Sequence, residues 1–153
     1  MYFVVVILTT VILPIGSAVI ELLLGSDQGP IATAGKWFVF WAVGIRLLMA
    51  GLSQVLRPSF TASEILAVKE PGAAKTVSEL GYANVSMGLI SGLSLLLQAW
   101  TAPAGLAGGL FLGLAGIRHA MNSERNAKEN LAMATDLFVA GVVGIYLASL
   151  VVR

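Results

Sequence analysis

Arg46 stands in the middle of an apolar run, ten residues after Lys36 and eleven before Arg57. At about 1.5 Å per helical residue it lies about 15 Å from either cation, too deep for its side chain to snorkel to water if the run crosses a bilayer. A guanidinium at that depth costs from about 2.5–3.5 kcal/mol on insertion scales to more than about 10 in simulation, so such residues face the protein interior beside a partner. Depth, counted from the nearest cation, sorts the partners. Asp136, eight residues after Lys128, falls level with Arg46 and is expected as its first partner. Asn84, nine residues after Lys75, falls at a similar height and is expected as the second, offering a carbonyl acceptor and an amide donor. On its own helix Arg46 shares a face with Ala42, Met49, Ala50 and Ser53, and Ser53 adds a hydroxyl to that stripe. Glu79 and Tyr82 lie shallower and are expected to form the cytoplasmic side of the same site.

This set reads as a polar intramembrane pocket for a quinone, a lipid or an anionic small molecule. The competing reading is a buried ion pair that fixes helix register, since desolvation can exceed the Coulomb gain of such a pair. Glu79 has a second job as the last residue of Thr76-x-x-Glu79, a helix-capping pattern, and Tyr82 doubles as an interfacial anchor. Glu21, near the outer end of the first span, is expected to reach the headgroups and be solvated. Arg118-His119 ends a helix, where cations meet the negative end of the dipole. His119 lacks a second axial ligand, which removes haem. Glu64, Glu70 and Glu79 lack the dense spacing of a metal site. No catalytic residue is named, because no nucleophile stands in a recognisable arrangement, and the cofactor is unknown.

These residues are carried by a chain of 153 residues, 58% apolar and 11% charged, with net charge +1 and no cysteine. A soluble domain runs about 45–50% apolar and about 25% charged, so a water-soluble globule is excluded. The near-zero net charge gives nucleic acid no basic surface. At about 20 apolar residues per span the expected architecture is all-α, an integral membrane bundle of five transmembrane helices. The spans are read at about 2–24, 35–56, 77–98, 102–120 and 127–152, with a short interfacial helix at about 62–69. The first is read as retained, since no cation precedes it beyond the amino terminus. Capping patterns at Thr61-x-x-Glu64, Thr76-x-x-Glu79 and Asn126-x-x-Glu129 mark helix starts. No run alternates with period two over a polar face, as a β-barrel would require.

Six cations (Arg57, Lys69, Lys75, Arg118, Arg125, Lys128) flank the two long connections, against Lys36 and Arg153 on the other side. That bias places the amino terminus in the cytoplasm and the carboxyl terminus outside, and the membrane is expected to be the inner one. Trp37, Trp41 and Trp100 then form the outer aromatic belt. Small residues spaced by four (Gly105, Gly109 and Gly113; Gly88 and Gly92; Ala140, Gly144 and Ala148) point to a core built from the third, fourth and fifth spans, or to a face for a second copy.

The stretch from Lys36 to Arg46, continued by Ala50-Gly51 and Arg57-Pro58-Ser59-Phe60-Thr61-Ala62, resembles a family of small bacterial membrane proteins of unknown function. Glu79-Leu80-Gly81-Tyr82-Ala83-Asn84, the run Gly113 to His119 and Asn126-Ala127-Lys128-Glu129-Asn130 fit the same resemblance. More loosely, the last four spans are similar to four-helix DoxX-like proteins, from which this chain departs by its extra first span. That similarity implies an accessory role beside a quinone-linked oxidoreductase, with a membrane-protein partner. The expected function is therefore a ligand-binding or accessory subunit. A small transporter or channel is the alternative, and an intramembrane enzyme using Asp136 or Glu79 is a second.

Overall fold

The computed structural model describes residues 2–65, 70 and 72–152, and the side chain of Ile65 is not among them. The chain folds as an all-α bundle. Helix α1 spans Tyr2–Leu23 and α2 spans Pro30–Leu56. A short α3 runs over Pro58–Phe60 and widens over Thr61–Ile65. Three long helices follow: α4 (Ala73–Leu93), α5 (Thr101–Ala120) and α6 (Ala127–Val151). Four of these, α1, α2, α5 and α6, are long and apolar enough to cross a membrane. Helix α4 has 21 residues but carries Lys75, Thr76, Ser78, Glu79, Tyr82 and Asn84 within its first twelve. The turns at 24–29 and 94–100 share one end of the bundle, the turn end, and the connections at 57–72 and 121–126 share the other, the loop end.

Several helix boundaries differ from expectation, each for a local reason. Helix α2 starts at Pro30, not near residue 35, because proline's fixed φ and missing N–H suit the first helical turn. Helix α3 also opens on a proline, Pro58, so Thr61 falls inside it rather than capping it. The remainder of the expected interfacial helix, 66–69, lies outside the described residues, as do Pro71 and the charges of Lys69 and Arg153. Helix α4 starts at Ala73, four residues early, because Gly72 turns the chain at φ +95°. Thr76 and Glu79 therefore sit past its first residues instead of capping it. It also ends early, at Leu93, and residues 94–97 continue as turns in which the Ser94 hydroxyl donates to the Ser91 carbonyl (2.7 Å). Asn126 caps α6 as expected, its Oδ1 accepting the Glu129 N–H at 2.9 Å.

Two widened stretches interrupt the long helices, Leu8–Ile12 in α1 and Val39–Ile45 in α2. The first is explained by Pro14, which offers no N–H to the carbonyl of Thr10 and crowds it, so the turn before it opens. The second ends one residue before Arg46.

The buried core lies between α2, α5 and α6, made by Phe38, Val39, Ala42, Val43, Leu47, Ala104, Leu112, Val139 and Val143. This corrects the expected core of the third, fourth and fifth spans: α2 is the central helix, and α4 packs against it from another side. The α2–α4 contact is backbone on backbone. A Cβ on Gly44 would lie 2.8 Å from the Gly92 nitrogen, one on Gly88 2.5 Å from the Leu48 nitrogen, and one on Gly51 2.7 Å from the Gly81 carbonyl. Lipid gives apolar side chains nothing to escape, so close approach of small residues is what holds such a pair together. The glycines of α5 serve the same purpose against α6, with Gly109 facing Val143 and Gly113 facing Ala140. Gly144 is open on the bundle exterior and joins no seam.

Candidate functional site

Arg46 follows directly on the widened stretch of α2 and points at α6, the helix that carries Asp136 on its buried stripe. Its Nη2 donates to Asp136 Oδ1 at 2.5 Å and to Thr135 Oγ1 at 3.2 Å. The Thr135 hydroxyl turns its own proton back to the carbonyls of Leu131 (2.8 Å) and Ala132 (3.0 Å), which leaves an oxygen lone pair for the guanidinium. The pair is buried, with side chains 11% and 6% exposed. Arg46 Nη1 is also buried but has no hydrogen-bond partner among the described residues. The guanidinium is thus fixed along one edge, while the nitrogen of the other edge is buried and unpaired.

Asn84, expected beside Arg46, is buried at 3% exposure but pairs elsewhere, donating from Nδ2 to Gln54 Oε1 at 2.8 Å. The register of α2 on α4 explains the displacement. Gly44 meets Gly92 and Gly51 meets Val85, so facing residues add to 136 and Lys75 falls opposite position 61, four residues beyond Arg57. Depths counted from Arg57 and from Lys75 therefore differ by about 6 Å, and Asn84 slides toward the loop end. Among the described residues its Oδ1 is buried without a partner, as is the hydroxyl of Thr61. Gln54 was the signal to be read there, a polar residue three before Arg57 in an otherwise apolar run.

Glu79 and Tyr82 are not brought to the site. Both lie on the exposed face of α4, Tyr82 at 60% exposure. Ser53 is half-buried with no side-chain hydrogen bond among the described residues, and Met49, on the stripe assigned to Arg46, is exposed.

A second polar cluster occupies the α5–α6 connection. Glu129, 4% exposed, lies on the same buried stripe of α6 as Asp136, seven residues earlier. Its carboxylate faces His119 Nδ1 at 2.9 Å and accepts from Asn122 Nδ2 at 2.9 and 3.1 Å. His119 therefore engages a carboxylate, while Arg125 closes α5 by donating to the carbonyls of His119 (3.1 Å), Ala120 (2.8 Å) and Asn122. At the turn end Glu21 is not left to solvent as expected. Lys36 Nζ lies 2.5 Å from its Oε2, and the Trp37 indole N–H donates to the same oxygen at 2.6 Å.

Among the described residues no group of three or more His, Asp or Glu side chains could hold a metal ion. The chain matches no protein-family model, no curated protein and no solved structure.

Proposed function

We propose that this chain is a multi-pass protein of a bacterial inner membrane that binds the polar head of a membrane-soluble ligand at Arg46, as a non-catalytic binding or accessory subunit. The observation that carries this reading is the buried Nη1 of Arg46, a donor without an acceptor beside an edge already engaged. A buried donor left unpaired costs about 1–3 kcal/mol, which a ligand acceptor would recover. Arg46 and Asp136 together are neutral, so an arriving anion would leave net charge in a low-dielectric interior, whereas a carbonyl would satisfy Nη1 without doing so. A quinone carbonyl fits that requirement, and the resemblance to DoxX-like proteins, some of which accompany quinone-linked oxidoreductases, supports the same ligand.

The layer of Phe38, Val39, Val43, Val139 and Val143 on the turn-end side of the pair is apolar and buried. It favours a dead-end site over a conduit for ions or solutes. The test is the thermal midpoint of the purified chain titrated with decylubiquinone, since a ligand that binds only the folded state raises it. The midpoint of the unaltered protein should rise, and that of Arg46→Gln should not respond. A midpoint indifferent to the quinone, or an equal rise in Arg46→Gln, would refute the reading.

A further inference from the structure

At the turn end, an open surface cleft of about 430 Å³ lies between the last turn of α1, the 24–29 turn and α2. Its polar lining is Ser17, Glu21, Ser26 and Asp27, and its apolar lining includes Ile20 and the Trp37 indole. We propose that this cleft binds a primary ammonium group carried on a short apolar arm. The proposal is independent of the Arg46 reading, because it concerns the opposite end of α2.

Charge decides the sign of the ligand. Glu21 is matched by Lys36, whose Nζ lies 2.5 Å from its carboxylate. Asp27 is exposed on the lip and has no ion-pair or hydrogen-bond partner among the described residues. The cluster of Glu21, Lys36 and Asp27 therefore has one negative charge to spare. The last turn of α1, a helix of 22 residues, ends on the same cleft, and a helix C-terminus favours a cation.

Shape and lining decide the kind of cation. The volume falls in the range of about 300–1,000 Å³ usual for small-molecule sites and is far larger than a bare ion requires. Two carboxylates without a third ligand make a poor metal site, and the Ile20 and Trp37 walls suit carbon. A quaternary ammonium selects a cage of aromatic faces, whereas one indole among hydroxyl and carboxylate oxygens offers acceptors for N–H donors. The walls are braced before any ligand arrives. The Ser26 hydroxyl oxygen lies 3.0 Å from Thr33 Oγ1 and accepts the Gln28 N–H at 3.1 Å, while the Trp41 indole donates to Ser17 Oγ at 3.0 Å.

Two sources carry this chemistry at a membrane interface, an aminophospholipid headgroup and a free alkylamine. The full chain is reconstituted in nanodiscs of phosphatidylcholine alone or with phosphatidylethanolamine, and released lipid is counted by native mass spectrometry. Phosphatidylethanolamine retained over phosphatidylcholine identifies the headgroup. Trp37 fluorescence that responds to n-butylammonium in phosphatidylcholine nanodiscs, and loses that response in Trp37→Phe, identifies the free amine. In either case Asp27→Asn should weaken binding at least tenfold with an unchanged thermal midpoint, since Asp27 braces nothing. No preference for either probe, or full binding by Asp27→Asn, would overturn the proposal.

Discussion

A guanidinium and a carboxylate held 2.5 Å apart between α2 and α6 invite a measurement of what they contribute to each other. Removing one member of a buried pair leaves an uncompensated charge and costs about 3–5 kcal/mol, whereas replacing both with apolar residues of similar size is often neutral. Arg46→Leu and Asp136→Leu should each lower the thermal midpoint in detergent, and the double variant should recover most of the loss. Neutral interhelical hydrogen bonds in membranes couple by only about 0.6 kcal/mol on average, so a coupling well above that figure marks an ion pair. A coupling near zero would remove the pair from the account. Asp136 was legible in the sequence because α2 and α6 run antiparallel with their loop-end termini nearly level, so counting from Arg57 and from Lys128 used one reference plane. Asn84 was misplaced by the same method because α4 overhangs α2 at that end. Thr135 was hidden for another reason, since a threonine beside an aspartate in an apolar helix looks like filler until its hydroxyl is seen aimed at the guanidinium.

Helix packing follows from where a side chain has no room. A Cβ on Gly88 would meet the Leu48 backbone nitrogen at 2.5 Å, and backbone cannot rotate aside. One on Gly109 would meet Val143 Cγ1 at 3.0 Å, a methyl group with some freedom to shift. One on Gly144 would meet nothing within 4 Å. Overpacking costs about 1–3 kcal/mol where a neighbour must yield. Thermal midpoints in detergent should therefore fall most for Gly88→Leu, less for Gly109→Leu, and not at all for Gly144→Leu. An unchanged midpoint for Gly88→Leu would mean that α4 is held by something other than the glycine seam. Spacing by four revealed the seam of α5, yet it also marked Gly144 and Ala148, which face outward, and Gly92, where an added Cβ would meet nothing within 4 Å, while the tight α4 glycines, Gly81 and Gly88, are seven apart. Small-residue spacing locates a surface fit for a helix without saying which helix takes it. The central place of α2 was illegible for the same reason: Gly44 and Gly51 are seven apart and fall outside that pattern.

Across the whole molecule, charge separates the two ends more sharply than the bare count of cations. Among the described residues, Arg57, Lys75, Arg118, Arg125 and Lys128 lie toward the loop end, whereas Lys36 at the turn end is neutralised by Glu21. The aromatic residues divide as well, for Trp37 and Trp41 sit at the turn end with their indole N–H groups bonded to Glu21 and Ser17. Retention of Lys and Arg on the cytoplasmic side sets orientation, and with Lys36 neutralised the bias rests wholly on the loop end. The loop end should therefore face the cytoplasm. Because the chain has no cysteine, single cysteines report this without background. Gln28→Cys and Ser123→Cys change exposed positions at opposite ends. In intact cells a membrane-impermeant maleimide should label Gln28→Cys at once and Ser123→Cys only after lysis. The reverse pattern would invert the bundle and put the Glu129 and His119 cluster outside. Labelling of both in intact cells would mean that α2, α4 and α5 together do not cross the bilayer an odd number of times between the two positions, contrary to a path that enters by α2, returns by α4 and enters again by α5 before residue 123.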